Sequence, residues 1–165
     1  MNRVQFQRLV KLEILSFILE DCLTGLLSAC KNLQFLKILA VNMLCRDLIG
    51  LEECRKLKHL DLSENYPGVG NVTLLRIAQG CHELEFLDLS YWSDGNLLDL
   101  EVLRPCSKIQ YLRVDGFPIR DSQLREIPSI FVNLLELHIA NCEYVTEDGV
   151  ITLKSLMPNL RIIRN

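Results

Sequence analysis

Cys54-Arg-Lys-Leu57-Lys-His-Leu60-Asp-Leu62-Ser63 is followed 27 residues later (81 − 54) by Cys81-His-Glu-Leu84-Glu-Phe-Leu87-Asp-Leu89-Ser90. Both stretches carry one frame, Leu-x-x-Leu-x-Leu, three residues after a cysteine. Five more copies fit the same register. Upstream are Leu12-Leu15-Phe17 and Cys30-Leu33-Leu36-Ile38; downstream are Cys106-Ile109-Leu112-Val114, Phe131-Leu134-Leu137-Ile139 and a truncated Met157-Leu160-Ile163. Successive first positions (12, 33, 57, 84, 109, 134, 160) lie 21, 24, 27, 25, 25 and 26 residues apart. A fixed period of this length marks a solenoid, in which each unit is one supersecondary element stacked on the next. The first and last copies are degraded, as the ends of a stack must be where they meet water.

Each copy has two halves with different hydrophobic periods. The Leu-x-Leu part alternates, so its leucines point inward from a short strand. Leu74, Ile77, Ala78 and Cys81 follow helical spacing on one face. Leu23, Leu26 and Cys30 repeat that spacing, as do Leu124, Ile127 and Phe131. The unit therefore reads strand, turn, helix, turn. A single unit buries too little apolar surface to offset the ordering of its own backbone, so stability is collective across neighbours.

These residues resemble a leucine-rich repeat protein of the cysteine-containing subtype, whose frame runs C-x-x-L-x-x-L-x-L-x-x-C-x-x-I-T-D-x-x-L. The fullest match is Leu134-Leu-Glu-Leu137-His-Ile139-Ala-Asn-Cys142-Glu-Tyr-Val145-Thr146-Glu147-Asp148-Gly-Val150. The leading cysteine stands at 30, 54, 81 and 106 and is replaced by Phe131 and Met157. The second cysteine stands only at Cys142. Ser63, Ser90 and Asp115 end other strands and depart from the pattern. The resemblance covers nearly the whole chain. It implies an α/β solenoid of about seven repeats in one domain over 1–165. The parallel sheet is expected on the concave side and the helices on the convex side. It further implies the substrate-recognition part of a ubiquitin ligase adaptor, especially the F-box type. Cullin-RING ligase components, reached through regions flanking this chain, are then further partners. Related repeats occur in cullin-2 adaptors. A shorter version occurs in a mitochondrial assembly factor, which gives the alternative of a structural assembly factor. Leu12-Glu-Ile-Leu-Ser-Phe-Ile-Leu19 faintly resembles an F-box but lacks the Leu-Pro opening.

Composition narrows the class. The chain has 165 residues, 49% of them hydrophobic, with net charge −3. That suits one continuous leucine-rich core. No Lys/Arg stripe is present to favour nucleic acid. No apolar run approaches the roughly 18 residues of a membrane helix. Arg8, Lys11 and Glu13 interrupt the first apolar stretch, against a secretory signal. The basic, acid-free opening from Met1 to Lys11 reads as a ragged first repeat before it reads as a mitochondrial presequence. Seven cysteines, none in a Cys-x-x-Cys pair, read as reduced core thiols of a cytoplasmic or nuclear protein. The spacing does not fit zinc, and no cofactor motif is present.

His59, Asp61 and Ser63 alternate along one strand and superficially resemble a hydrolase triad. Same-face neighbours on a strand lie about 7 Å apart, too far for the contacts a triad needs. Asp61 and Asp88 occupy equivalent places on adjacent strands, and repetition accounts for them. The expectation is a protein that is not an enzyme.

The strand positions between the leucines project onto the concave face. One row reads Ile14, Phe35, His59, Phe86, Tyr111, Glu136, Ile162. The next reads Ser16, Lys37, Asp61, Asp88, Arg113, His138, Arg164. Tyr91 and Trp92 follow a strand at one rim, beside Tyr66 and Phe117 of neighbouring units. An aromatic stripe flanked by mixed charge suits a protein or peptide partner. The candidate partner-binding residues are Phe35, His59, Asp61, Phe86, Asp88, Tyr91, Trp92, Tyr111 and Arg113.

Overall fold

A computed structural model of the chain describes residues 6–16, 25–40, 48–65, 70–91 and 99–164. Seven strands form one parallel sheet in sequential order: β1 (Lys11–Ser16), β2 (Phe35–Ala40), β3 (His59–Asp61), β4 (Phe86–Asp88), β5 (Tyr111–Arg113), β6 (Glu136–His138) and β7 (Arg161–Ile163). Leu36, Leu60, Leu87, Leu112 and Leu137 stand opposite one another across neighbouring strands. All five are fully buried. The chain is an α/β leucine-rich repeat solenoid of about seven repeats.

Among the described residues four α-helices cover the other side of the core: α1 (Leu26–Ala29), α2 (Gly70–Gly80), α3 (Asp121–Ile130) and α4 (Glu147–Leu156). The sequence predicts a helix in every unit. In two units a single 3-10 turn takes its place, at Leu51–Glu53 and Leu100–Leu103. The inward spacing explains the difference. Leu48, Leu51 and Cys54 recur every three residues, as do Leu100, Leu103 and Cys106, and all six are buried. Three residues per turn is the 3-10 period. Leu74, Ile77 and Cys81, at i, i+3 and i+7, keep the α period. Leu23, expected on a helix face, and Phe17, expected in the first frame, lie outside the described residues.

The register departs from expectation at both ends. In the first repeat Leu12 pairs with Leu36 and Ile14 with Ile38. The frame is therefore Leu9-Leu12-Ile14, not Leu12-Leu15-Phe17. Leu15 is 71% exposed. The Leu9 N–H donates to the Phe6 carbonyl at 3.1 Å as the Leu33 N–H donates to that of Cys30, so Phe6 holds the cysteine slot. In the last repeat Ile162 pairs with Leu137 and Ile163 with His138. Lys11, Glu13, Arg161 and Ile163 thus occupy the concave rows where Ile14, Ser16, Ile162 and Arg164 were expected. An end strand has one neighbour, so a leucine-rich stretch with two possible frames is fixed only by that one set of pairings.

Two ladders link the repeats behind the sheet. Burial pushes the thiols of Cys54 and Cys106 up to about 12 and raises that of Cys81 well above its ordinary value. They stay protonated and donate backward: Cys54 to the Leu27 carbonyl at 3.5 Å, Cys81 to Leu51 at 3.5 Å and Cys106 to Ile77 at 3.7 Å. Each of these carbonyls also accepts the backbone N–H of the preceding slot residue. The five described cysteines are free and buried. Beyond β3, β4, β5 and β6 the chain turns through a left-handed residue: Glu64 (φ 57°), Tyr91 (55°), Gly116 (72°) and Asn141 (56°). The N–H groups of Glu64, Tyr91 and Gly116 donate to Ser90, Asp115 and Ala140 carbonyls of the next repeat at 2.7–2.8 Å. Those bonds hold even Tyr91 in a conformation costly for a side chain with a Cβ.

Candidate partner-binding face

The sheet pairing places Phe35, His59, Phe86 and Tyr111 side by side in one row. Phe35 and His59 stack with ring centroids 4.2 Å apart and planes 11° from parallel. His59 and Phe86 stack at 4.0 Å and 5°. The Lys11 ammonium lies 4.7 Å from the centre of the Phe35 ring and closes that end of the column. Adjacent parallel strands are about 4.8 Å apart, so rings standing off the sheet fall naturally into contact. Both faces of His59 are covered. Burial is the main cause that lowers the His59 pKa; Lys37 and Lys11 add to it, against Asp61. Tyr111 continues the row as an exposed residue.

The second row is ionic. Lys37 donates to Asp61 at 2.6 Å. Burial pushes the Asp61 carboxyl up, but hydrogen bonds from Lys37 and from Ser63 outweigh it and hold the group below its ordinary range. At Asp88 burial wins over the Ser90 hydrogen bonds and the Arg113 charge, and its carboxyl is raised. Arg113 approaches Asp88 at 3.4 Å and Asp115 at 3.9 Å. Glu136 is shared by His138 at 2.6 Å and Arg161 at 3.1 Å. The acids lie beneath the cations: Asp61, Asp88 and Asp115 are buried, although two of them belong to the outward row.

The other sequence candidates fall in different places. Tyr91 stands exposed at the rim with its ring against Gly116, and its hydroxyl accepts from Asn141 Nδ2 at 2.8 Å. Phe117, expected beside it, is 1% exposed and belongs to the core. It follows Val114 by three residues, in the slot that Cys142 fills in the next repeat. Trp92 and Tyr66 lie outside the described residues. Sequence reasoning passed over Asn65, in the same slot. This buried side chain donates to the Ile38, Leu62 and Ser63 carbonyls at 2.6–3.1 Å, tying the turn to the repeat before it. Its cue was an asparagine three residues after Leu62, where an apolar residue or cysteine stands in other repeats.

The triad-like residues meet only in part. Ser63 was expected too far from Asp61 for contact, yet its hydroxyl donates to Asp61 Oδ1 at 2.7 Å, because Ser63 lies in the turn and not on the strand. His59 stacks between two phenyl rings instead of joining them. His82 contacts the Ala78 carbonyl at 2.8 Å. Among the described residues no group of three His, Cys, Asp or Glu side chains is placed to hold a metal ion. No described helix is long and apolar enough to cross a membrane.

No protein-family model matches the chain, and no curated protein sequence matches it significantly. Solved structures do match its fold. An internalin (inlF) from Listeria monocytogenes is 16% identical, with a TM-score of 0.61, covering 99% of this chain and 49% of that one. A chain of the yeast Rad7 and Elc1 complex is 14% identical at TM-score 0.59, covering 87% of this chain and 43% of its own. A second Listeria internalin, C2, is 16% identical at TM-score 0.58, covering 98% and 73%. The chain spans about half the length of the first two. These likenesses are of fold.

Proposed function

We propose that this chain is a non-enzymatic recognition module that binds a protein or peptide partner on its concave face. The observation that carries the reading is the stacked column of Phe35, His59 and Phe86, continued by exposed Tyr111, on the open side of the sheet. Aromatic and arginine side chains grouped at the middle of a face are typical interface anchors. Within that reading, Phe35, Phe86 and Tyr111 bury against the partner. Arg113 sets its orientation, the buried Asp61 and Asp88 hold Lys37 and Arg113 from below, and Tyr91 borders the partner. A non-catalytic role is supported by His59 being held between rings and Ser63 being bonded to Asp61.

The larger role proposed is substrate recognition within a ubiquitin ligase adaptor of the cysteine-containing repeat subtype. Two observations support it. The cysteine slot is used as a hydrogen-bond ladder through consecutive repeats. One structure of similar fold is a chain from a complex, that of Rad7 and Elc1. Phe86→Glu tests the concave face in the full-length protein. Partners are captured by affinity purification from cells with the wild type and the variant and compared by mass spectrometry. Loss of a defined partner, with circular dichroism and melting near wild type, is the expected result. Equal loss of folding would place Phe86 in the core and defeat the assignment. Recovery of cullin-RING components among the captured proteins tests the adaptor role separately.

A further inference from the structure

Resting on the concave-face reading, we infer that the partner segment is acidic: an extended peptide whose carboxylates and carbonyls meet a surface of hydrogen-bond donors. The inference comes from which half of the Lys37–Asp61, Arg113–Asp88 and Arg161–Glu136 pairs faces the open side; in the His138–Glu136 contact the two side chains are about equally covered. Side-chain exposure is 32% for Lys37 against 9% for Asp61, 40% for Arg113 against 6% for Asp88, and 72% for Arg161 against 22% for Glu136. In all three pairs the cation is outermost. A partner therefore touches ammonium and guanidinium groups, while the acids under them cancel their long-range field.

The acids are also occupied. Asp61 accepts from Lys37 and from the Ser63 N–H and hydroxyl. Asp88 accepts from the Ser90 N–H at 2.9 Å, and Asp115 from the Ala140 N–H at 2.6 Å. The cations are not. Among the described residues Lys37 makes one hydrogen bond to a side chain, and it has three N–H groups. Arg113 reaches its acids only at 3.4 and 3.9 Å among the described residues, and its Nε is buried without a partner. A guanidinium has five N–H donors in a planar fork suited to a carboxylate. The aromatic column adds to this polarity. Both faces of His59, and the Phe35 and Phe86 faces turned toward it, are used in stacking, so the middle of the column offers ring edges, where the quadrupole is positive. Carboxylate and carbonyl oxygens complement donors and ring edges alike; lysine or arginine side chains of a partner complement neither. Near-neutral overall charge makes this a short-range selectivity, decided on contact.

The test uses three short fluorescein-labelled peptides with the purified chain, followed by fluorescence anisotropy at low and high salt. Each carries a central Phe and alternates Ala with Glu, Gln or Lys. The Glu peptide is expected to bind at least roughly tenfold tighter than the Lys peptide, with the preference shrinking as salt is raised. Arg113→Gln removes most of that preference, and Arg113→Lys, which keeps charge but loses the fork, restores part of it. Lys37→Gln, at the other pair, gives a second reading should Arg113→Gln disturb folding by circular dichroism. Equal or better binding of the Lys peptide, binding of no peptide, or indifference to both cation changes overturns the inference. The two readings fail differently. A Lys-peptide preference abolished by Phe86→Ala defeats the acidic chemistry and leaves concave binding standing. Binding indifferent to Phe86→Ala and Tyr111→Ala defeats both.

Discussion

A histidine held face to face between two phenyl rings is selected for its neutral form. His59 has Phe35 and Phe86 at 4.2 and 4.0 Å, and burial lowers its pKa below the ordinary value of about 6.5. The unfolded chain then binds this proton at a higher pH than the folded one. Stability is accordingly full above that ordinary value and is lost as pH falls through it toward the folded pKa. In His59→Phe this component disappears while the stack is kept. Melting temperatures taken from pH 7.5 to 5.5 are expected to diverge, the variant gaining on the wild type as pH falls; parallel curves would show that His59 does not titrate between the two states. The row containing His59 was legible in the sequence from the repeat register, and so was the aromatic character of its neighbours. The stack was not, because Phe35 and Phe86 lie 24 and 27 residues away (59 − 35, 86 − 59) and meet it only through strand pairing.

At the level of elements, the helical side is set by how closely each segment sits on the one before. A Cβ at Gly80, the last residue of α2, would overlap the backbone carbonyl of Glu52 in the preceding 3-10 turn. The same turn is held by Arg76, whose Nη1 contacts both Glu52 carboxylate oxygens at 3.1 Å. Gly80→Ala forces backbone from backbone, so a loss of about 1–3 kcal/mol is expected from urea unfolding. No change would mean that the α2 end stands off from the turn. Gly149 meets a different neighbour: its Cβ would strike the Asp121 carboxylate. That carboxylate accepts from the Thr146 N–H at 2.9 Å and from its hydroxyl at 2.6 Å, while the same hydroxyl caps α4 by accepting from the Gly149 N–H. The Thr146-Glu147-Asp148-Gly149 match to the repeat pattern thus has a local reason. The substitution of 3-10 turns for helices was written in the period-three spacing of Leu48, Leu51 and Cys54, which a search for helical periodicity alone passes over.

Across the whole molecule each repeat contacts its neighbours, so damage in one spreads. Leu87 is fully buried between Leu60 and Leu112. Leu87→Asp places an unpaired charge there, at a cost of several kcal/mol. Amide hydrogen exchange is expected to show lost protection in β3, β4 and β5 together; loss confined to β4 would show that the repeats fold independently. The sequence by itself determined the architecture: the period near 25, the alternation of inward leucines and the cysteine slot leave one way to bury the apolar side chains. It also named which strand positions face outward in the interior repeats. Tertiary structure alone decided the frames of the first and last repeats, where a single neighbour arbitrates between leucine registers. It alone buried Asp61 and Asp88 under Lys37 and Arg113, and drew Phe117 into the core. A repeat fixes what each residue can do within its own unit, whereas burial and charge pairing on a stacked sheet are settled by side chains one full period away.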